Sequence, residues 1–281
     1  MRVLELISIL LDAVVQPRCI GCEKVLFSNG GPLCAGCHRA LPWWRRIDGC
    51  PRCGAAAPIA RSTRHEHERI EFDGCTECLA GGSPLHASIA LARYEGPLRR
   101  WIPGFKNARG PFGPAVPVRL AIDYLADMLA SRVLIGRCRL PDLIVSVPLH
   151  PRRKRHRGFN HVDPIANRIA RTLDLPFAPD ALARRRDTSS QSRLFARARR
   201  ENVGDAFRAT HQLGSARTVW LVDDVLTTGS TLDAAGNALL EAGCDEVRAL
   251  TLAATLPAHR AGKRKTAYHA AAANGRSTRI R

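Results

Sequence analysis

The segment that most constrains the fold is Val219–Thr231, which reads VWLVDDVLTTGST. Its first four residues, Val219–Val222, are apolar and predict a buried β-strand. Two adjacent carboxylates, Asp223 and Asp224, follow this strand directly. Carboxylates at the end of a strand can accept hydrogen bonds from the vicinal hydroxyl groups of a ribose. The segment therefore predicts a sugar-binding position at the end of a buried strand.

A turn rich in hydroxyl groups comes next and leads into a helix with apolar residues at helical spacing. Hydroxyls, backbone N–H groups and a helix N-terminus together favour a phosphate, and a glycine lets the backbone approach the ligand closely. The predicted phosphate-binding residues are Thr227, Thr228, Gly229, Ser230 and Thr231. A sugar phosphate fits this order, with its hydroxyls on the aspartates and its 5′-phosphate on the turn.

Two other interpretations of this segment carry less weight. In the first it is an ordinary strand–turn–helix in which Asp224 caps the helix, but paired aspartates followed by TTGST are too specific a combination for that. In the second Asp224 is the Walker-B carboxylate of an ATPase. An ATPase of this kind also needs a GxxxxGK[ST] loop. The sequence has none, since Gly262-Lys263 is followed by Arg264 and lacks the upstream glycine.

The N-terminal part contains four Cys-x-x-Cys pairs. This spacing turns two thiolates towards one tetrahedral Zn²⁺, and four thiolates fill a structural site with no open position. The predicted zinc ligands are Cys19, Cys22, Cys34, Cys37, Cys50, Cys53, Cys75 and Cys78. Eight thiolates indicate two closed sites, in a segment with too few large apolar residues to fold without metal.

The pairing of the cysteines is open at this stage. A sequential arrangement places the first two pairs on one metal and the last two on the other, whereas an interleaved arrangement has the same spacing in sequence. A disulfide framework is the main rival to zinc, but it does not suit a cytoplasmic chain, and a redox role for one pair is a third alternative. The spacing favours zinc. Cys138 and Cys244 stand alone and are predicted to be packed thiols.

Charge and hydropathy limit the classes of function. The chain has 281 residues and a formal net charge of +18, which indicates an anionic ligand or partner. No stretch is long and apolar enough for a transmembrane helix. The N-terminus, MRVLELISILLDAVV, has acidic residues and no A-x-A cleavage site, so an amphipathic helix packed on the body is expected rather than a signal peptide. We therefore expect a cytoplasmic protein without membrane insertion.

Strands alternate with helices along the remainder of the chain, which predicts a parallel α/β sheet with its ligand beyond the carboxyl ends of the strands. The predicted strands are 88–94, Leu143–Val147, Val219–Val222 and Glu246–Leu252. The predicted helices are Val118–Arg132, Val162–Leu173 and Ser230–Ala242, with Leu98–Lys106 as a helix or turn because Pro103 interrupts its pattern. The expected domains are 1–83 with the cysteines, 84–257 with the sheet, and a basic, disordered tail at 258–281.

VWLVDDVLTTGST resembles the phosphoribosyl-pyrophosphate (PRPP) loop of type I phosphoribosyltransferases. Three further features extend the likeness: the cysteine pairs, the block VPLHPRRKRHRGFNH and the block RRRDTSSQSRLFARARRENVGDAF. Together, in this order, they make about residues 1–255 similar to the ComF family of competence proteins. The resemblance implies an α/β, parallel-sheet type I phosphoribosyltransferase-like domain preceded by a small Cys-rich zinc-ribbon module.

The resemblance also implies roles for individual residues. Asp223 and Asp224 would act as the catalytic carboxylates on the ribose of PRPP, which type I enzymes bind with Mg²⁺. Lys106 would contact an anion. The pyrophosphate would meet a tight turn and the basic block after it, through Ser146, Pro148, Leu149, Arg157 and Asn160. A mobile flap at Arg184–Phe207 would cover the site through Thr188, Gln191, Arg200 and Asn202.

Two functions follow as hypotheses. The first is a phosphoribosyltransferase of the glycosyltransferase class whose acceptor the sequence does not identify, linked through the family to DNA uptake in natural transformation. The second is a non-catalytic accessory protein that binds single-stranded DNA and keeps a vestigial PRPP site. The zinc ribbons, the net charge and the tryptophans beside cations, Trp43, Trp44 and Trp101, support the second. Since no motor is encoded, a separate DNA-uptake motor protein would supply the energy.

Overall fold

The computed structural model describes residues 17–26, 31–45, 49–54, 59–60, 74–75, 78, 83–106, 116–136, 138–185, 206–210 and 213–255. Numbered in chain order, its strands are β1 (Ile59–Ala60), β2 (Gly74–Cys75), β3 (Ala87–Arg93), β4 (Leu143–Ser146), β5 (Phe177–Ala178), β6 (Leu182–Arg184), β7 (Phe207–Ala209), β8 (Thr218–Leu226) and β9 (Glu246–Ala254). Its helices are α1 (Ala35–Arg39), α2 (Leu98–Lys106), α3 (Val116–Ile135), α4 (Pro151–Arg157), α5 (Val162–Leu173) and α6 (Ser230–Glu241).

A five-stranded parallel sheet forms the centre of the described fold, in the order β3-β9-β8-β4-β5. The predicted parallel α/β architecture is therefore confirmed. The predicted end of the third strand at Val222 is wrong, because pairing with β9 continues β8 through both aspartates to Leu226. On its other side β8 pairs with β4 only as far as Val222, opposite Ser146. The aspartates thus lie where the sheet opens next to β4.

Alternation along β8 divides the core into two layers. Trp220 and Val222 pack on one face with α2, α3 and α5. Val219 and Leu221 pack on the other face with α6 and the antiparallel pair β6–β7. Side chains alternate along a strand, so Asp224 points to the same side as Trp220 and Val222. This side carries the end of α2 and the start of α5.

Helix α2 has the predicted bounds Leu98–Lys106 and is the helix of the two predicted alternatives, helix or turn. Pro103 lies inside the helix, which continues to Lys106. The buried side chains of Leu98, Trp101 and Phe105 hold its apolar face against the core, and this burial outweighs the hydrogen bond that a proline inside a helix removes. The helix therefore delivers Lys106 to the carboxyl end of the sheet.

The N-terminal module is attached along β3. The N–H of Trp44 donates to the carbonyl of Leu91 (2.9 Å), and that of Arg93 donates to the carbonyl of Pro42 (2.7 Å). The guanidinium of Arg132 on α3 donates to the carbonyls of both Trp44 (2.7 Å) and Leu91 (3.2 Å). These backbone contacts join the module to the edge of the sheet.

Candidate functional site

The site lies beyond the carboxyl ends of β4 and β8. From β4 the sheet continues to β5 on one side, and from β8 it continues to β9 on the other. Such a switch point is where parallel α/β sheets bind their ligands. The N–H of Val147, just after β4, donates to the carbonyl of Val222 (2.9 Å), so the loop that follows β4 begins beside the aspartates.

A cleft of about 310 Å³ opens at this point. Part of its wall consists of residues that the sequence singled out: Pro148, Leu149, Arg157, Asp223, Asp224, Thr227 and Thr231. Lys106, whose role the resemblance implied, also lines it, as do Tyr94, Val147, Arg153, His161, Val162, Arg184 and Val225. Carboxylates, hydroxyls and cations therefore surround one concave space.

Two of the predicted residues, Ser146 and Asn160, have side chains that are buried behind the cleft and hydrogen-bonded there. Ser146 is fully buried, and its hydroxyl donates to Asp163 Oδ1 (2.6 Å). The Asn160 amide donates to the same oxygen (2.5 Å) and to the carbonyl of Val147 (3.2 Å). Burial raises the pKa of Asp163 despite these hydrogen bonds. Ser146 and Asn160 thus hold the loop after β4 against the start of α5.

The flap residues Thr188, Gln191, Arg200 and Asn202 lie outside the described residues. The two ends of the flap segment are described, and they pair in antiparallel fashion, with Arg184 opposite Phe207. Because Arg184 also lines the cleft, the flap segment begins and ends beside the site.

Asp224 is held by two donors. Its Oδ2 lies 2.6 Å from Lys106 Nζ and 3.1 Å from His161 Nε2. The Asp224 side chain is only 6% exposed, so both interactions act in a region of low dielectric, where they are stronger than in water. His161 was missed in the sequence, where it is one histidine at the end of a basic block and follows no recognisable pattern.

The two neighbouring aspartates differ in acidity. Burial and the charge of Asp224 raise the pKa of Asp223 to about 7. Burial alone would also raise the pKa of Asp224, but the hydrogen bond from His161 and the charge of Lys106 lower it to about 2. Such a pair titrates as a unit. Near neutral pH it therefore carries one fixed negative charge and one group that can gain or lose a proton.

The turn after β8 has the geometry of an anion-binding helix start. Gly229 precedes α6 with φ 82°, a left-handed conformation that glycine adopts without a steric cost. The Thr228 and Ser230 hydroxyl oxygens lie 3.0 Å apart. Of the predicted turn residues Thr227 and Thr231 line the cleft, whereas Thr228, Gly229 and Ser230 form the rest of the turn. The helix N-terminus favours a negative group near this position.

The basic block forms a short helix, α4, rather than a loop. The His150 side chain caps it by accepting from the N–H of Arg152, and Gly158 ends it with φ 85°. Arg153 and Arg157, one turn apart, line the cleft. Residues on its other sides face away from this cleft, so the helix divides its cations between two surfaces.

A second cavity of about 270 Å³ adjoins the cleft. It shares Pro148, Leu149 and Arg184 with the cleft, and its other walls include Lys154, Asn160 and the start of β6–β7. A molecule in this cavity would therefore approach the cleft from the side of α4.

The eight paired cysteines form two clusters, and within each all four sulfurs lie within 4.8 Å of one another. The first contains Cys19, Cys22, Cys34 and Cys37, and the second Cys50, Cys53, Cys75 and Cys78, so the sequential grouping is confirmed. Neighbouring sulfurs are 3.7 to 3.9 Å apart, which matches the separation of about 3.8 Å for tetrahedral ligands 2.3 Å from zinc. Both clusters therefore fit a closed structural zinc site.

None of the described helices is both long and apolar enough to cross a bilayer.

The model of a protein family described as "Phosphoribosyl transferase domain" matches residues 164–273 of this chain. Two solved structures overlap part of the chain: glutamine PRPP amidotransferase from B. subtilis (23% identity, 48% of this chain and 26% of that one, TM-score 0.33) and purine phosphoribosyltransferase from Pyrococcus horikoshii Ot3 (19%, 47% and 72%, TM-score 0.31).

Two named relatives match over nearly their whole length. The "DNA utilization protein YhgH" of Escherichia coli O157:H7 is 33% identical over 242 residues, which cover 86% of this chain and 99% of the relative. The "Competence protein F" of Haemophilus influenzae is 30% identical over 238 residues, 84% of this chain and 96% of the relative. Since this similarity extends well beyond the phosphoribosyl transferase region, the chain belongs to the ComF family of phosphoribosyltransferase-like proteins.

Proposed function

We propose that the cleft binds Mg²⁺–PRPP or a related ribose phosphate and that the protein transfers the phosphoribosyl group to an acceptor. The observation that carries this proposal is the convergence of Asp223, Asp224, Thr227 and Arg157 on one cleft at the carboxyl edge of the sheet. Each end of such a ligand would meet a suitable group there. The ribose hydroxyls fit the aspartates, the 5′-phosphate fits the turn, and the pyrophosphate fits the cations of α4.

The proposed chemistry depends on electrostatics more than on a protein nucleophile. Negative charge grows on the pyrophosphate as its bond to C1 of the ribose breaks, and the guanidinium of Arg157 would stabilise that charge. Magnesium, which prefers carboxylate and phosphate oxygens, would neutralise part of the ligand's charge. Asp223 offers a carboxylate of the required type.

Lys106 would change partners when the ligand binds. Its ammonium pairs with Asp224, and its side chain is 31% exposed, so it has room to turn towards the cleft while His161 remains as a partner of Asp224. A phosphate oxygen in the cleft would compete for the ammonium and release one lone pair of Asp224 for the ribose. The helix that carries Lys106 thereby contributes to ligand affinity.

We also propose that each cysteine cluster binds one structural Zn²⁺. The amide N–H groups of Cys34 and Cys75 point at the sulfurs of Cys19 (3.3 Å) and Cys50 (3.1 Å), as hydrogen bonds around bound metals commonly do. With four sulfur ligands and no open position, such zinc would stabilise the fold rather than catalyse. All described cysteines are free thiols, which suits the reducing cytoplasm.

Calorimetric titration tests the proposed ligand. We expect saturable binding of Mg²⁺–PRPP to the zinc-loaded protein and its loss in Asp224→Ala, because this change removes the carboxylate from the ribose side. Asp245→Ala is the matched control, since Asp245 pairs with Arg217 at an exposed position outside the cleft. Absence of binding to the folded, zinc-replete wild type would refute a ribose phosphate site.

The second candidate function is an accessory role with single-stranded DNA. The names of the relatives, the net charge of +18 and the cations of α4 outside the cleft favour it. Trp44 and Trp101 give it no support, because they are only 8% and 7% exposed and pack in the core. In natural transformation a separate DNA-uptake motor protein would supply the energy.

The same variant separates the two functions. If DNA binds outside the cleft, Asp224→Ala should leave the affinity for single-stranded DNA unchanged while it abolishes PRPP binding. Fluorescence anisotropy with a labelled oligonucleotide measures this at several salt concentrations. Equal loss of both ligands in a folded variant would instead indicate one shared anion site.

A further inference from the structure

His161 is the last residue of the block VPLHPRRKRHRGFNH, where the sequence indicated no role for it, but it contacts the cleft carboxylate and its side chain is only 5% exposed. Nε2 lies 3.1 Å from Asp224 Oδ2, and Nδ1 lies 3.3 Å from Nη1 of Arg157. A side chain in the cleft with both ring nitrogens engaged has a defined orientation. The question is which nitrogen carries the proton.

The contact with Arg157 shows which ring nitrogen of His161 carries the proton. A guanidinium has only donors, so Nδ1 must be the acceptor, and the ring proton then lies on Nε2. From there it is donated to Oδ2 of Asp224, the oxygen that Lys106 also approaches from α2. The charged side chains that contact this pair are thus Arg157 from α4 and Lys106 from α2. Oδ1 of Asp224 is left as the oxygen for a ligand.

We propose that His161, with its proton on Nε2 directed at Oδ2, is a positioning residue that fixes the Asp224 carboxylate for the ribose hydroxyls. This inference rests on the ribose phosphate function proposed above. If Lys106 turns to a phosphate, His161 is the donor that keeps the carboxylate oriented. It acts through Asp224 and does not touch the ligand itself.

Two variants and two ligands test this role. His161→Leu removes the donor, whereas His161→Gln keeps an amide donor that can reach the same oxygen. Calorimetry with Mg²⁺ would measure ribose 5-phosphate, which needs Asp224, and inorganic pyrophosphate, which does not. We expect His161→Leu to weaken ribose 5-phosphate binding about tenfold, the size of a lost charge-assisted hydrogen bond. Pyrophosphate binding should weaken less than ribose 5-phosphate binding, because leucine removes one acceptor of Arg157 but leaves its guanidinium in the cleft. His161→Gln should restore most of the ribose phosphate affinity.

A measurement without ligand tests the same geometry. Nitrogen-15 NMR of the full-length protein, with the His161 signals identified by their loss in His161→Gln, should show a protonated Nε2 and an unprotonated Nδ1 at neutral pH. A proton on Nδ1 alone would overturn the proposal, because Nε2 could not then donate to Asp224.

The outcomes separate this inference from the function on which it rests. If wild-type protein binds neither ligand, the ribose phosphate function fails and the positioning role falls with it. If the wild type binds both and His161→Leu binds both equally well, only the positioning role is refuted. Equal weakening of both ligands with a lower melting temperature would also refute it, since this is the result expected of a merely structural histidine.

Discussion

Asp223 and Asp224 are adjacent in sequence but lie in opposite electrostatic surroundings. Asp224 faces His161 and Lys106, whose donors lower its pKa to about 2. Asp223 points to the other side of β8, where burial and the charge of its neighbour raise its pKa to about 7. The strand's alternation thus converts one dipeptide into a permanent anion and a group that titrates near neutrality.

Neutralising Asp223 should stabilise the protein at high pH. The folded state binds the Asp223 proton more tightly than the unfolded chain does, so the free energy of unfolding falls as pH rises from about 4 to about 7. Asp223→Asn removes this penalty, and we expect it to gain about 1–2 kcal/mol at pH 8 after allowance for solvent screening. Below pH 4 the gain should vanish.

Urea unfolding of wild type and variant between pH 4 and 8 measures this difference. Asp224→Asn is the matched control and should lose stability at pH 8, because the low pKa of Asp224 means that its charge stabilises the folded state above pH 4. A gain in Asp223→Asn that is the same at every pH would show that the charge is not its cause.

The sequence predicts the aspartates and the turn because they occupy adjacent positions whose types match a ligand. It misses His161, since its contact with Asp224 spans 63 residues and depends on how α5 begins. It also cannot show that the Ser146 hydroxyl donates to Asp163, because both a cleft contact and a buried contact suit a serine after a buried strand. Residue types were predictable, and side-chain directions set by tertiary packing were not.

At the scale of elements, α4 is the helix that the sequence indicates least clearly, although two of its arginines line the cleft. Helices are recognised by a repeating apolar face, and Pro151–Arg157 has none, since all its residues after the proline are basic. The cap at His150 and the left-handed Gly158 define it instead. The extension of β8 escaped prediction for a similar reason: pairing with β9, not local hydropathy, decides where the strand ends.

The helix makes a paired prediction about its arginines. Arg157 lines the cleft, and Arg152, five positions earlier on the exposed surface, does not. We expect Arg157→Ala to weaken binding of Mg²⁺–pyrophosphate about tenfold or more, because a charge-assisted contact to the anion is lost. Arg152→Ala changes the net charge equally and should alter affinity less than about twofold, as remote charges do when salt screens them.

Calorimetry at 0.15 M salt measures both variants, with circular dichroism to verify that α4 and the fold are retained. Equal effects of the two substitutions would mean that the helix acts through its total charge and that no specific contact from Arg157 exists.

At the scale of the whole molecule, the second cysteine cluster packs under the turn that joins β8 to α6. The N–H of Ser88 on β3 donates to the carbonyl of Pro51 (2.8 Å), which fixes the Cys50–Cys53 knuckle on the sheet. A Cβ on Gly54 would lie 2.0 Å from Leu226 Cδ2, and one on Gly229 would lie 3.5 Å from the carbonyl oxygen of Cys53. The end of β8 and the turn therefore depend on the shape of this knuckle.

A methyl group at Gly54 should disrupt this interface. Gly54 has φ +71°, and its Cβ would overlap Leu226, so we expect Gly54→Ala to cost about 2–4 kcal/mol, about 1 from the left-handed backbone and the rest from overpacking. Gly96→Ala is the control, because Gly96 has φ +53° but no atom near the added Cβ; it should cost about 1 kcal/mol. Urea unfolding of the zinc-loaded proteins measures both, and equal costs would contradict tight packing of the knuckle on β8.

The two clusters should differ in what the loss of their metal does. The first cluster lies against α3, where Tyr124 Oη is hydrogen-bonded to His38 Nδ1 (2.5 Å), whereas the second lies under the turn. Cys22→Ser and Cys53→Ser should each lower the zinc content from two ions to one per chain and lower the melting temperature, because metal binding contributes to folding.

Only Cys53→Ser should also weaken binding of ribose 5-phosphate, since the carbonyl oxygen of Cys53 lies 3.5 Å from the position of a Cβ on Gly229, at the start of α6. Metal analysis by mass spectrometry, thermal unfolding and calorimetry on the same samples would measure the three effects. Cys138→Ser, a thiol outside both clusters, should change none of them. If the two cluster variants lose ribose phosphate affinity equally, the effect follows general destabilisation and the second cluster has no particular link to the turn.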